Sequence, residues 1–181
     1  MLSSNQTSPA KEVTWNFKNN GQIVKVAHYK DQIFNVTNDL FVDRIVMCNY
    51  GTTLRIRDLR MEDSGIYKVD FTLLDQTKSH ISYNVTIYDP VPTPVINEIE
   101  DNDRCIYTLH CTVPSNTSLV SYRWFYRYGN SKYQPYTDGD TAWISMKNET
   151  LHKDFLCLVQ NPIDKKNVTV IVQSCEREHI K

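Results

Sequence analysis

Short runs of alternating apolar and polar residues follow one another along the whole chain. VTWNF, TTLRI, IYKVDFTL and SYNVTIY lie in the first half, and CIYTLHCTV, SYRWFY, FLCLV and VTVIV lie in the second. A period of two in runs rich in Val, Ile, Thr, Tyr and Phe, bounded by turn residues, predicts β-strands. No stretch keeps an amphipathic helical period over three turns. We therefore predict an all-β protein.

A proline-rich segment, DPVPTP, interrupts this pattern near the middle of the chain. Its three prolines can neither continue a helix nor donate hydrogen bonds to a central strand. They hold the backbone extended, so we predict a short, semi-rigid linker. The expected organisation is a β-domain at 1–89, the linker at 90–94, and a second β-domain at 95–181.

The charge balance argues against a nucleic-acid partner. The chain has 20 Lys and Arg against 21 Asp and Glu, and it shows no basic run of the kind that phosphate backbones require. No apolar run approaches the roughly 18 residues of a membrane span, so we predict no span in this chain. The start, MLSSNQTSPAK, and the end, CEREHIK, show neither a secretion signal nor an anchor.

Cysteines and glycosylation acceptors nevertheless predict an extracellular protein. Four of the five cysteines lie between positions 105 and 175, and an even set within one segment suits disulfides. We expect a product that is secreted, or anchored at the cell surface by a segment outside this chain. Asn-x-Ser/Thr acceptors without a middle proline occur six times, at Asn5, Asn35, Asn84, Asn116, Asn148 and Asn167.

The segment RMEDSGIYKVDF resembles the corner of an immunoglobulin sandwich, where a tyrosine precedes the disulfide cysteine by two residues. Tyr67 has the corner position, but Val69 takes that of the cysteine. Trp15 resembles the core tryptophan of strand C, and Arg44 resembles the arginine that pairs with the corner aspartate, here Asp63, in variable-type domains. The first domain is thus predicted to be variable-type without its disulfide, which forgoes on the order of 2–4 kcal/mol.

The second half resembles a constant-type immunoglobulin domain. Cys111, Trp124 and Cys157 fit the order of the strand B cysteine, the strand C tryptophan and the strand F cysteine. Phe155 stands where the corner tyrosine would be. Metal binding would favour a tight C-x-x-C spacing, which is absent. Four cysteines allow three connectivities, and we prefer Cys111 with Cys157 and Cys105 with Cys175.

The combination of these two domains resembles the ectodomains of the signalling lymphocytic activation molecule (SLAM) family. The similarity covers about 12–175 and rests on VTWNF, IVKV, MEDSG, IYDPVPTPVI and the spacing between Cys105 and Cys111. Its most specific parts are the linker and the cysteine layout. Within the family, the sequence of these motifs is most similar to that of the lipid-anchored lymphocyte ligand of a natural-killer-cell receptor.

This resemblance implies binding through the sheet that carries strands G, F, C, C′ and C″ of the first domain. The expected partner is a SLAM-family receptor ectodomain on natural killer or other lymphoid cells, and the chain itself is expected to be a monomer or a weak dimer. Alternation places side chains outward next to Trp15, Tyr67 and Val69. The receptor-binding candidates are Asn16, Lys18, Lys25, His28, Tyr29, Lys30, Lys68, Asp70, Thr72, Asp75, Gln76 and Lys78.

Three functional interpretations stay open at this point. The first is a ligand that modulates lymphocyte or natural-killer-cell recognition, and the second is a soluble decoy, host-made or viral, that blocks the same receptor. The third is a sandwich that serves as scaffold for binding glycans or an unrelated receptor. Without the family resemblance, an ordinary solvated sheet face would explain the same residues. Asn84 is expected to lie low on the sheet, near the linker, where a glycan leaves the upper half free.

The start of the chain departs from the family pattern. Only fourteen residues precede Trp15, and they lack apolar alternation. We expect a truncated version of a longer precursor, or a domain that lacks strands A and B and leaves the inner face of strand E uncovered. Cys48 has no partner in the first half, and we expect a half-buried thiol.

No catalytic motif supports an enzyme. The chain lacks G-x-S-x-G, H-E-x-x-H, a P-loop and a dinucleotide fingerprint. His110 and Cys111 are adjacent, so on a strand they point to opposite faces. The acidic residues at 98–103 are expected to form a solvated turn without the loop glycine of a calcium site. We predict no enzymatic activity, no cofactor and no metal.

Overall fold

The computed structural model describes residues 1–6, 8–114 and 119–175. Residues up to Ile87 form one compact unit, and the chain from Tyr88 onwards forms a second. The described residues form β-strands and two short 3-10 helices, at Asp39–Phe41 and Met61–Asp63. The prediction of an all-β fold with immunoglobulin-like sandwiches is therefore confirmed.

The first unit is a sandwich of two antiparallel sheets. In its described residues, a five-stranded sheet has the order β4-β3-β2-β7-β8 and faces a three-stranded sheet of order β1-β6-β5. The strands are β1 (Leu2–Ser3), β2 (Ala10–Asn19), β3 (Gln22–Lys30), β4 (Ile33–Val36), β5 (Ile45–Cys48), β6 (Thr53–Ile56), β7 (Gly65–Leu73) and β8 (Lys78–Val85).

The core of this sandwich forms around the residues that the sequence places inward. Trp15, Tyr67 and Val69 are fully buried, and Trp15 stacks on Tyr83 with ring centroids 6.0 Å apart. The Tyr67 hydroxyl donates a hydrogen bond of 2.8 Å to the carbonyl of Asp63, which is the expected tyrosine corner. Val69 fills the cysteine position with apolar volume, so packing takes the place of the cross-link.

The alternative of a domain that leaves the inner face of strand E, here β6, uncovered is wrong. The short strand β1 pairs with β6, with Leu2 opposite Leu54. Leu54 is fully buried, and Leu2 packs on the same core. Two residues of backbone pairing and one apolar side chain are enough to cover that position.

The expectation of a half-buried Cys48 is also wrong. Cys48 ends β5 and is exposed. The reason is its position at the last residue before the turn into β6, where the strand leaves the core. It takes part in neither of the disulfides described below.

The second unit is also a sandwich, with sheets of order β13-β10-β9 and β12-β11-β14-β15 in its described residues. Disulfides join Cys111 to Cys157 and Cys105 to Cys175. Trp124 is fully buried in the same core. The strands are β9 (Val95–Asp101), β10 (Ile106–Thr112), β11 (Ser121–Tyr128), β12 (Gln134–Asp138), β13 (Thr141–Ser145), β14 (Lys153–Gln160) and β15 (Lys165–Val172).

Two segments of the second unit differ from their sequence-based description. The acidic residues at 98–101 belong to strand β9 and not to a turn, because β9 pairs with β10 along its whole length. Val91, within the proline-rich segment, is buried in the core of this unit. Its amide donates a 3.0 Å hydrogen bond to the Asp164 carboxylate, so at least this residue has a fixed place in the second unit.

Candidate functional site

The outer surface of the five-stranded sheet of the first unit, called the front face here, is the candidate site. Directly opposed residues on antiparallel strands point to the same face, so the pairing defines rows of neighbouring side chains across the sheet. The four rows, from the β7–β8 turn downwards, are Lys78–Thr72–Glu12–Lys30–Ile33, His80–Asp70–Thr14–His28–Asn35, Ser82–Lys68–Asn16–Lys25 and Asn84–Ile66–Lys18–Ile23.

Strands β2 and β7 supply the middle of the front face. Lys68, Asp70 and Thr72 point outward because Tyr67 and Val69, their neighbours, are buried. By the same alternation Asn16 and Lys18 lie outward on β2, opposite Lys68 and Ile66. These five candidates therefore share one contiguous surface.

Strand β3 corrects one candidate. A bulge lies where Trp15 pairs with Ala27 but Asn16 pairs with Lys25, so Val26 is an extra residue and both Val26 and Ala27 are buried. The bulge reverses the alternation, and Tyr29 pairs with the buried Val13 on the inner face. Tyr29 is thus not part of the front face. The β3 residues that do lie on it are Lys25, His28 and Lys30.

The turn between β7 and β8 carries the remaining candidates at the top of the front face. Asp75 and Gln76 are exposed, and Lys78 begins β8. The Thr77 amide donates a 2.9 Å hydrogen bond to the Asp75 carboxylate. This bond lowers the pKa of Asp75 and fixes the turn.

Three residues that line a cavity on the front face are missing from the sequence-based set of receptor-binding candidates. Glu12, Thr14 and His80 lie in the two upper rows. Together with Asp70, Thr72 and Lys78 they line a shallow cavity of about 230 Å³. The signal was present in the sequence, since Glu12 and Thr14 share the alternation of Asn16, and His80 shares that of Asn84.

The front face carries more positive than negative charge. Its four rows contain five lysines against the carboxylates Glu12 and Asp70. His28 Nε2 lies 2.8 Å from Glu12 Oε1, and this hydrogen bond lowers the pKa of Glu12. Lys68 Nζ lies 3.2 Å from Asp70 Oδ1, with both side chains nearly half exposed. The upper rows therefore combine both signs, and the lower rows are cationic.

Two of the glycosylation acceptors lie on the front face. Asn84 is exposed in the lowest row, and Asn35 is exposed on the edge strand β4. Neither lines the cavity of the upper rows. The side chains of Asn5, Asn148 and Asn167 are exposed as well, whereas Asn116 lies outside the described residues.

In the part of the chain that the structure describes, no group of side chains forms a recognisable catalytic or metal-binding site. No group of three or more His, Cys, Asp or Glu side chains there could hold a metal ion. His110 bonds to the Thr141 hydroxyl at 3.1 Å, and its neighbour Cys111 is in a disulfide. Within residues 1–6, 8–114 and 119–175, no helix is long and apolar enough to cross a membrane.

Curated relatives of the chain are immune-cell proteins. Mouse SLAM family member 5 is 25% identical over 177 residues, which cover 96% of this chain and 51% of that protein. Human SLAM family member 5 is 29% identical over 76% of this chain and 39% of its own length. The rat natural killer cell receptor 2B4 is 28% identical over 68% of this chain and 40% of the receptor. The chain thus spans about half, or less, of the length of the curated relatives that it matches.

Solved structures agree on the fold. The CD2-binding domain of CD58 has a TM-score of 0.68 at 17% identity, covering 97% of this chain and 92% of that one. Murine CEACAM1b has a TM-score of 0.70 at 16% identity, covering 94% and 87%. No family model matches the chain.

The fold defines the class, which is a chain of two immunoglobulin-type sandwiches. The curated relatives, at 25–29% identity, support the predicted resemblance to SLAM-family immunoglobulin ectodomains. Homologues of this kind are receptors and adhesion molecules and not enzymes. Because these relatives are family member 5 and 2B4, the particular similarity to the lipid-anchored ligand stays a prediction. The disulfides and the extracellular homologues fit an extracellular domain.

Proposed function

We propose that this ectodomain is a ligand of a SLAM-family immune receptor and binds it through the front face of the first domain. The observation that carries the proposal is the contiguous, registered and mostly polar surface over five strands. The immune-receptor relatives support the partner class. Binding would modulate recognition by lymphocytes or natural killer cells.

The contact is centred on the upper two rows of the front face. The shallow cavity lies there, between Glu12, Asp70 and Lys78. A glycan at Asn84 would cover the lowest row, and a glycan at Asn35 would cover the β4 end of the second row, so both leave the cavity itself open. The lower position of Asn84 also supports our expectation that its sugar does not block binding.

The partner surface is expected to be acidic. Five lysines against two carboxylates give the front face a positive excess, although the whole chain has a net charge of -1. Such complementarity favours fast encounter and specificity more than high affinity. Weak contacts of this kind are effective between two cell surfaces, where many copies act together. Raising the salt concentration should therefore weaken binding.

A titration against a panel of SLAM-family receptor ectodomains tests the proposal. The double variant Lys68→Glu/Asp70→Lys exchanges the charges of one neighbouring pair on the front face without changing the net charge. We expect the dissociation constant to rise about tenfold or more, the range of interfacial charge pairs. The matched control is Arg123→Asp/Asp138→Arg, which reverses an exposed pair of 3.0 Å in the second unit.

The outcomes separate the alternatives. Binding that persists unchanged in the front-face variant removes this surface as the site. Binding that falls equally in both variants points to a general effect of charge and not to a docked face. If no receptor ectodomain in the panel binds the natural chain, the proposed function fails, and a glycan or an unrelated receptor becomes the better partner.

A further inference from the structure

A second concave surface lies at the loop end of the first unit, next to the front face and distinct from its cavity. It has a volume of about 440 Å³. The start of β2, the β3–β4 turn, the β5–β6 turn and the end of β7 supply its walls. We call it the loop-end cleft, and its lining residues are Pro9, Ala10, Lys11, Tyr29, Asp31, Gln32, Tyr50 and Leu74.

Tyr50 occupies an unusual position in this cleft. Its φ of 55° is in the left-handed region, which glycine and asparagine tolerate and a bulky aromatic residue rarely adopts. The side chain is 53% exposed, so core packing does not compensate for the strained backbone. Strained residues that the rest of the fold holds in place are concentrated at binding sites and active sites. The strained and exposed position of Tyr50 therefore indicates a role in binding and not in packing of the core.

The turn that carries Tyr50 is held firmly from below. The indole nitrogen of the buried Trp15 donates a 2.8 Å hydrogen bond to the Gly51 carbonyl. A Cβ on Gly51 would come within 2.7 Å of Tyr29 Cβ, so the turn rests directly on Tyr29. The Gly51 amide also bonds to the Cys48 carbonyl at 3.1 Å. A ring presented on such a fixed turn loses little conformational entropy when a partner binds.

The cleft is chemically suited to an uncharged, apolar group. Tyr29 and Tyr50 supply two aromatic rings, and Leu74, which is 64% exposed, supplies an aliphatic side chain. The charged lining residues, Lys11 and Asp31, have opposite signs and cancel. Aromatic side chains in a partly desolvated pocket are typical anchors of protein interfaces.

The cleft is continuous with the front face. Glu12 and Lys30, which form part of the uppermost row, directly follow Lys11 and Tyr29 of the cleft lining. Leu74 comes directly before Asp75 of the β7–β8 turn. A protein that covers the upper rows can therefore place a side chain in the cleft at the same time.

We propose that the loop-end cleft is an anchor site that takes an aromatic side chain from the protein bound to the front face. This inference rests on the proposed function for the identity of that protein. The cleft itself is tested independently of any receptor, with N-acetyl-tryptophan amide as probe. Titration of the full chain, followed by amide NMR shifts of Gln32, Gly51 and Leu74, should show saturable binding at about 1–10 mM, the affinity range of a single small anchor group.

The decisive variant is Tyr50→Asn, compared with the natural chain when both are produced without N-glycans, because the substitution places an asparagine two residues before Thr52 and creates an acceptor. Asparagine tolerates the left-handed conformation, so the turn is preserved while the ring is lost. We expect the melting temperature to stay the same or rise, and the affinity for the probe to fall about tenfold, as for an interface anchor. Leu74→Ser should also lower the affinity for the probe. The matched control is Leu59→Ser, at a leucine of similar exposure, 56%, that does not line the cleft.

The receptor panel supplies the second measurement. With a receptor that binds the natural chain, Tyr50→Asn should raise the dissociation constant about tenfold. If charge reversal on the front face abolishes binding while Tyr50→Asn leaves it unchanged, the anchor is overturned and the proposed function stands. If no receptor binds, the proposed function fails, and the probe titration alone decides whether the cleft binds aromatic groups.

Two further results would overturn the anchor site. Methyl glycosides that shift the same amides, when N-acetyl-tryptophan amide does not, would make the cleft a carbohydrate site. A lower melting temperature for Tyr50→Asn, with unchanged binding of the probe, would make Tyr50 a structural residue of the turn.

Discussion

Arg44 and Asp63 form a buried, bidentate ion pair at the bottom of the first sandwich. Arg44 Nη1 donates to Asp63 Oδ2 at 2.9 Å, and Nη2 donates to Oδ1 at 2.8 Å. The exposed fractions of the two side chains are only 8% and 3%. The guanidinium also donates to the carbonyls of Leu40 and Asp58. The pair therefore connects the 3-10 helix before β5 to the tyrosine corner.

Removing one member of this pair should strongly destabilise the first domain. Asp63→Ala leaves a buried guanidinium without its counter-ion, which typically costs about 3–5 kcal/mol. Hydrogen exchange of the Tyr67 and Val69 amides, in the centre of β7, would measure the free energy of unfolding of this domain. The control is Asp70→Ala in the exposed Lys68–Asp70 pair, which should cost at most about 1 kcal/mol. Equal losses in the two variants would contradict the structural role of the buried pair.

The same pair should make stability depend on pH. Burial opposes ionisation of Asp63, but hydrogen bonds from Arg44 and from the Arg60 amide lower its pKa below the ordinary value of 3.8. A carboxylate with a depressed folded pKa stabilises the native state above the unfolded pKa and loses this effect as the pH falls through the folded value. The difference in unfolding free energy between the natural chain and Asp63→Asn should thus shrink between about pH 5 and pH 3. A constant difference would contradict this linkage.

Tyr67 and Tyr83 of the first domain, whose hydroxyl groups are both buried, should differ in how loss of the hydroxyl changes stability. Tyr67→Phe removes the 2.8 Å bond to the Asp63 carbonyl and should cost about 0.5–1.5 kcal/mol. The Tyr83 hydroxyl is buried without a hydrogen-bond partner among the described residues. Tyr83→Phe keeps the ring on Trp15 and should be neutral or stabilising, since an unpaired buried hydroxyl carries a desolvation cost. Thermal unfolding of both variants distinguishes this pattern from a general loss of packing.

The parts of the fold that local motifs specify could be predicted from the sequence. Asp63, Gly65 and Tyr67 lie within five consecutive residues, and the hydrogen bond of the corner fixes which residues of β7 point inward. The alternation along β2 follows directly, because Trp15 pairs with Val69 in the same sheet. Register information of this kind is local, so single-sequence alternation was sufficient.

Features that depend on pairing between distant segments could not be predicted. In QIVKVAHYK the adjacent Val26 and Ala27 are both buried, and the bulge that allows this exists only against β2. Simple alternation therefore predicts the wrong face for Tyr29. Strand β9, with only Ile96 packed on the core, has too few apolar residues for a clear strand signal. Its pairing with β10 makes it a strand.

A glycan placed artificially on the upper front face should block receptor binding. His80 lies in the second row, lines the cavity there, and is exposed on the edge strand β8. Because Ser82 stands two residues further on, His80→Asn creates an acceptor with a single substitution. A glycan at this position would cover the neighbouring Asp70, so we expect the variant made in mammalian cells to lose binding to any receptor that binds the natural chain. Mass spectrometry establishes that the site is occupied.

Matched variants separate the sugar from the substitution. His80→Asn/Ser82→Ala lacks the acceptor and measures the effect of the two exchanged side chains alone, so the further loss of affinity in glycosylated His80→Asn is due to the sugar. Asn84→Gln removes the natural acceptor in the lowest row and should leave affinity unchanged, because a glycan there lies two rows below His80 on the same strand. Full binding by the glycosylated His80→Asn chain would place the contact elsewhere. Tighter binding by Asn84→Gln would show that the interface extends to the lowest row.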